Sequence, residues 1–125
     1  MMDQPSMHEL VEAVRAFIEQ KAMPELKGHT AFHARVAANA LAIVARQLER
    51  GEQANAEELA GLRALLGKEG SLEELNRDFC CAIRNGELDI VSPQLQQHLE
   101  HIARSKIEID QPNYSGLRIA RERDA

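Results

Sequence analysis

The sequence predicts an all-α fold, an up-and-down bundle of about five helices in which the second helix is central. Apolar residues recur at helical spacing in five segments, and most of these segments carry residues that typically start or stop a helix. Aromatic residues make up only 3% of the chain, so the core must be built from aliphatic side chains, which suit closely packed helices better than β-sandwiches. The length of 125 residues fits one helical domain, residues 1–125.

The first segment, residues 7–21, has the pattern of an amphipathic helix. Ser6 is placed to cap its N-terminus, and Glu9, three residues later, completes a capping box. One side of the helix is charged and the other is apolar. The apolar residues are Met7, Leu10, Val11, Val14, Phe17 and Ile18. Pro24 ends or kinks this helix.

The second segment, residues 30–50, is apolar around most of its circumference. A helix of this kind is typically surrounded by other helices, and this is the reason for its central position in the predicted bundle. Its polar residues occupy one narrow sector and include Arg35, Asn39 and Arg46. Gly51 is expected to stop it.

Three more helices are predicted in the second half of the chain. Each begins after a residue that commonly caps helices, namely Asn55, Ser71 or Ser92. They cover residues 56–66, residues 72–85 and a segment from residue 93 whose apolar stripe is Leu95, Leu99, Ile102 and Ile109. Beyond a turn at residues 112–116, the charged residues 117–125 are expected to form a frayed end.

Composition argues against several classes of partner. The net charge is −5, whereas binding to nucleic acid or to an anionic membrane surface needs a basic face. No apolar run approaches the roughly 20 residues that cross a bilayer, and the N-terminus lacks the pattern of a secretory signal. Cys80 and Cys81 are adjacent, so a bond between them would be strained, and a reduced, cytoplasmic protein is expected.

Motifs of catalytic chemistry are absent from the sequence, so no catalytic residue and no cofactor are assigned, and an enzyme is disfavoured. Residues 61–69, GLRALLGKE, have glycines one residue too far apart for a phosphate-binding loop. The pairs His29/His33 and His98/His101 have helical spacing, yet neither has an evident third ligand. We therefore predict no metal site and interpret them as ordinary histidines.

Three polar residues of the second helix are candidates for binding. His33 lies within the apolar arc and is expected to be largely buried, either as a core-edge histidine or as a general base or ligand-binding group. Arg35 and Asn39 belong to the polar sector, which either faces water or binds an anion or a partner, since guanidinium suits carboxylate or phosphate. His101, by contrast, projects from the polar side of the last predicted helix and is expected to be exposed.

Three residues near the end of that last helix are further candidates. Lys106 falls on the apolar stripe and Asp110 follows one turn later, so the two form either a structural pair or a site with a desolvated, reactive lysine. Tyr114, the only tyrosine, is followed by Gly116. Residues 110–116 are therefore expected to fold back onto the bundle and to meet the polar residues of the second helix.

Four stretches of the chain carry a family resemblance. They are residues 31–49, residues 106–116, LRALLG from Leu62, and CAIRNGELD around Ala82. Together they resemble a bacterial family of small helical domains of unknown function, whose members are often encoded beside aminoglycoside-phosphotransferase-like kinases and acyl-CoA dehydrogenases. The resemblance implies a role near acyl-CoA or related metabolism. The matching residues are Phe32, His33, Arg35, Asn39, Lys106, Asp110, Gln111, Pro112, Tyr114 and Gly116.

Two hypotheses of function follow. The first is a non-catalytic accessory or interaction module that acts with a kinase-like or acyl-CoA dehydrogenase protein, and homo-oligomers are compatible with it. The second is a small-molecule-binding domain or minor enzyme that uses a polar cluster on the second and fifth predicted helices. The members of that cluster are His33, Arg35, Asn39, Lys106, Asp110 and Tyr114. A flat apolar patch would favour the first hypothesis, and a concave pocket lined by these residues would favour the second.

Overall fold

The computed structural model describes residues 4–125, and within this range the protein is all-α, as predicted, with no β-strand. Five α-helices are present among the described residues: α1 Met7–Phe17, α2 Gly28–Leu66, α3 Leu72–Arg84, α4 Pro93–Asp110 and α5 Ser115–Asp124. A π-helical turn, Ile18–Ala22, and a 3-10 turn, Met23–Glu25, continue the chain between α1 and α2. With the π-helical turn included, the first helical segment ends at Ala22, close to the predicted end at residue 21.

Side-chain caps fix the starts of α1 and α3 where the sequence places them. The Ser6 hydroxyl accepts a hydrogen bond from the Glu9 backbone N–H at 3.2 Å. Ser71 and Glu74 form a complete capping box, since each side chain accepts a hydrogen bond from the other residue's backbone N–H at 3.1 Å. These bonds satisfy N–H groups that a helix leaves without partners in its first turn.

Helix α2 is a single helix of 39 residues, so the prediction of two helices separated at Gly51 is wrong. A helix that stops at glycine usually places it at positive φ, and Gly67, just after α2, has φ +64°. Gly51 does not adopt positive φ. The residues after it, Glu-Gln-Ala-Asn-Ala, tolerate helix well, and the Gln53 side chain donates to Glu57 at 2.9 Å, one turn later.

Helix α5 occupies most of the segment that was expected to be frayed, residues 117–125. Leu117 is only 2% exposed and provides an apolar anchor. Ion pairs join α5 to α4: Arg104 pairs with Asp124 at 2.5 Å, Arg121 pairs with Glu108 at 3.1 Å, and Arg123 pairs with Glu100. The charges that suggested fraying are therefore partners of charges on the preceding helix.

Contacts divide the chain into two compact units, Met1–Gly51 and Glu52–Ala125. The second unit has an apolar core in which Leu62, Leu75, Phe79 and Leu95 are at most 3% exposed. In the described part of the first unit, the buried apolar side chains are Ala38 and Ala45 only. The first unit therefore lacks a core of large side chains, although its sequence is rich in them.

Candidate interaction surface

In the first unit, α1 lies against the N-terminal half of α2 along a polar groove. The groove has a volume of about 230 Å³ and is lined by His8, Glu12, Arg15, Ala42, Ala45, Arg46 and Glu49. The two helices run antiparallel because the connection between them is short. The side of α1 that faces α2 is thus its mixed, charged side, the reverse of the usual arrangement for an amphipathic helix.

Hydrogen bonds and ion pairs order this groove. The Arg15 guanidinium contacts the Glu12 carboxylate at 2.6 Å and the Glu19 carboxylate at 3.2 Å. The hydrogen bond from Arg15 lowers the pKa of the Glu12 carboxyl, and the charge of Arg46 on α2 acts in the same direction. Electrostatics across the groove therefore favour the observed pairing of α1 with α2.

Most of the apolar side of α1 faces solvent as a result, although Val11 and Ile18 are half-buried. Met7, Leu10, Val14 and Phe17 are exposed by 59%, 43%, 51% and 61%, and no residue of α1 is buried. Amphipathicity predicts that these side chains pack against something, and within the described chain they remain largely uncovered.

Two large apolar residues of α2 extend this surface. Val44 and Leu48 are 44% and 40% exposed. Four of these exposed apolar residues lie one position N-terminal to residues that line the groove: Met7 precedes His8, Val14 precedes Arg15, Val44 precedes Ala45 and Leu48 precedes Glu49. One position turns the side chain by about 100°, and in antiparallel helices this rotation leads to the same side of the pair. We call this surface the apolar face; it comprises Met7, Leu10, Val14, Phe17, Val44 and Leu48.

The three sequence-predicted candidates of the first unit are all exposed. His33, Arg35 and Asn39 lie on the surface of α2, so the prediction that His33 is buried is wrong. The His33 ring makes an edge-to-face contact with Phe32, with ring centroids 5.6 Å apart, and Phe32 is itself 58% exposed. The arc that the sequence assigns to the protein interior is therefore partly turned to solvent.

The three candidates of the second unit are also exposed, including Lys106, which thus lacks the desolvated surroundings of a reactive amine. Asp110 and Tyr114 do come together, since both line a groove of about 310 Å³ with Ile107 and Gln111. The Tyr114 ring lies over Gly116, where an added Cβ would come within 2.4 Å of it. Residues 110–116 are thus an ordered turn, although Tyr114 is 52% exposed.

The second unit contains a buried polar cluster that the sequence patterns did not predict. Glu58 on α2 is 7% exposed and accepts a hydrogen bond from the Asn76 amide of α3 at 2.8 Å. His98 on α4 is 8% exposed, packs edge-to-face on Phe79, and has a buried Nε2 atom without a hydrogen-bond partner. Burial lowers the pKa of His98, while the nearby Glu58 carboxylate acts to raise it.

The sequence did contain an indication that His98 is buried. It lies three residues after Leu95 and four residues before Ile102, on the same stripe of α4. Leu99, which we assigned to that stripe, is 40% exposed instead. His101 is exposed as predicted and contacts the Glu57 carboxylate through Nε2 at 2.9 Å.

Among residues 4–125, no group of three or more His, Cys, Asp and Glu side chains is arranged to hold a metal ion. Nor does any helix of this part of the chain combine the length and apolar character needed to cross a membrane. Cys80 and Cys81 are both free and exposed.

Fold and surface together define an all-α protein with an exposed apolar helical face. The chain belongs to the domain family of unknown function DUF6285, whose model matches residues 24–114. The match therefore covers α2, α3 and α4, while α1 and α5 lie outside it. No curated protein and no solved structure matches the chain.

Proposed function

We propose that this protein is a non-catalytic interaction module and that the apolar face is its binding surface for another helical protein surface. One observation carries the proposal: α1 is amphipathic, yet four large residues of its apolar side face solvent while charged residues of its other side line the groove against α2. Contiguous exposed apolar surface of this kind is typical of protein-binding sites.

The finer assignment concerns the identity of the partner. The resemblance implies neighbours that are kinase-like or acyl-CoA dehydrogenase proteins, and we propose these as the partners to be tested. The absence of catalytic motifs from the sequence supports an accessory role. We propose a reduced, cytoplasmic setting for this role.

Site-specific photo-crosslinking in the organism that encodes the protein tests the proposal. A photoreactive residue in place of Val14 lies within the apolar face, and one in place of Ala13 provides a control that is exposed but lies about 100° away around α1. We expect a crosslinked adduct from position 14 and little from position 13. Mass spectrometry that identifies a kinase-like or dehydrogenase protein would support the finer assignment, whereas no adduct at position 14 would contradict the whole proposal.

A second candidate function, small-molecule binding, is favoured by the shared groove of Asp110 and Tyr114. Coenzyme A is a suitable probe because the resemblance implies acyl-CoA metabolism. If the groove is a site, coenzyme A should raise the thermal midpoint of the wild type, and Tyr114→Phe should reduce that shift without lowering the stability of the free protein. If Tyr114 only secures the turn, coenzyme A should leave both midpoints unchanged.

A further inference from the structure

We propose that the apolar face is covered by a second copy of this chain, so that two α1–α2 hairpins form a symmetric four-helix bundle. This inference rests on the proposed function, because it names the occupant of the same face. A partner protein from outside would then compete with the second copy for that face.

The spacing of the apolar residues indicates what kind of surface fits. Along α1, Met7, Leu10, Val14 and Phe17 are separated by three, four and three residues. Along α2, Ala37, Leu41, Val44 and Leu48 are separated by four, three and four. Both rows alternate spacings of three and four residues, as coiled-coil seams do, in which side chains of one helix insert between those of another.

Two adjacent seams fit two helices on the opposite side. A single helix seated between the rows would contact only the inner edge of each, whereas an antiparallel helical hairpin places one helix against each row, as in a four-helix bundle. This chain carries such a hairpin, with the same face on every copy. Under a two-fold axis the face pairs with itself, which is how most homodimers are built.

The exposed area accounts for more than half of one side of a standard interface. The six residues of the apolar face leave roughly 500 Å² in water, before flanking residues are added, and a standard interface buries about 800 Å² on each partner. That uncovered area is near the upper end for the largest patch on a typical monomer.

The weak interior of the first unit favours a resident occupant over an occasional one. In its described residues, the buried apolar side chains are those of two alanines, Ala38 and Ala45. Large apolar side chains must be buried to offset the conformational entropy lost on folding. A second copy is the one partner that is always present in equal amount, and its apolar face would supply this burial.

Sedimentation velocity of the full chain tests the inference with two matched pairs of variants. Val14→Glu and Leu48→Glu each place a charge in the apolar face. Ala13→Glu and Gln47→Glu place the same charge at the neighbouring exposed position of the same helix. We expect dimers for the wild type and both controls at micromolar concentration, and at least tenfold weaker association for Val14→Glu and for Leu48→Glu.

The outcomes separate this inference from the proposed function. Far-UV circular dichroism identifies a variant that fails to fold, and the other face variant then decides. A wild type that stays monomeric, or face variants that dimerise as well as their controls, would overturn the second-copy proposal. A monomeric wild type that still crosslinks to another protein through position 14 would overturn this inference alone. A lack of any adduct at that position would contradict the proposed function and this inference together.

Discussion

At the scale of single residues, the central feature is a histidine buried without a full set of hydrogen bonds. The Nε2 atom of His98 has no partner, and its ring packs against Phe79 and close to the backbone of Gly61. A buried polar atom without a partner costs stability, and the cost rises when the group becomes charged. His98 should therefore couple the stability of the second unit to pH.

The sign of this coupling follows from the lowered pKa. Burial lowers the pKa of His98 below its ordinary value of 6.5, so the unfolded chain binds the proton more tightly than the folded protein. The free energy of unfolding should therefore be highest above pH 6.5 and should fall as the pH drops below that value. His98→Gln should remove this slope, while His33→Gln, at an exposed position, should retain it.

Denaturant midpoints between pH 7.5 and 5 measure the effect. Within this pH interval, the carboxyl groups of Glu12, Glu100 and Asp124 contribute little to the change in the free energy of unfolding. Hydrogen bonds from arginines lower the pKa values of these carboxyls below their ordinary values of 4.5, 4.5 and 3.8, so they act at lower pH. If the free energy of unfolding changed equally with pH for His98→Gln and the wild type, His98 would not be the source of the pH dependence.

Two glycines inside α2 should respond to alanine in opposite directions. Both gain about 1 kcal/mol of helix propensity on substitution. At Gly61, however, the new Cβ would come within 2.3 Å of the His98 ring, whereas at Gly51 it would meet only the flexible side chain of Gln47. We expect Gly51→Ala to stabilise the protein by up to about 1 kcal/mol and Gly61→Ala to destabilise it by about 1–3 kcal/mol. Chemical unfolding of the two variants checks both signs, and a stabilised Gly61→Ala protein would refute the close approach.

At the scale of helices, the sequence predicts the existence and type of most elements and fails on two boundaries. The cap residues Ser6 and Ser71 act as predicted because their hydrogen bonds are local. Gly51 and Gly67 are alike in sequence, yet only Gly67 adopts positive φ and ends a helix. Helix α5 was missed because the partners of its charges lie on α4, and local patterns do not indicate such pairs.

The anchoring of α5 can be tested at Leu117. This side chain is 2% exposed, while Ile119 on the same helix is 58% exposed. Leu117→Ala should destabilise the protein by about 2–4 kcal/mol through lost burial and a cavity, and Ile119→Ala by less than about 0.5 kcal/mol. Urea unfolding compares the two, and equal effects would indicate that α5 is held by its ion pairs rather than by Leu117.

At the scale of the whole molecule, the sequence predicts that α1 has an apolar side but not what that side contacts. Helical periodicity indicates burial against some surface but does not distinguish a surface of the same chain from one of another chain. The same limit explains His33, whose position in an apolar arc implied a buried site that the structure does not form. Of the six predicted site residues, Asp110 and Tyr114 share a groove, because they flank a single turn that the local sequence already indicates.

The contrast between the two units makes a prediction about local stability. Helix α3 contributes Leu75 and Phe79 to a dry core, whereas α1 has no buried residue. If a second copy supplies the burial that α1 lacks, its backbone amides should be protected from hydrogen exchange only when the dimer is populated. On dilution below the dimer dissociation constant, exchange in α1 should accelerate while exchange in α3 stays constant. Val14→Glu should show fast exchange in α1 at every concentration, and Ala13→Glu should follow the wild type. Slow exchange in α1 that does not change on dilution would mean that the hairpin is stable without a second copy.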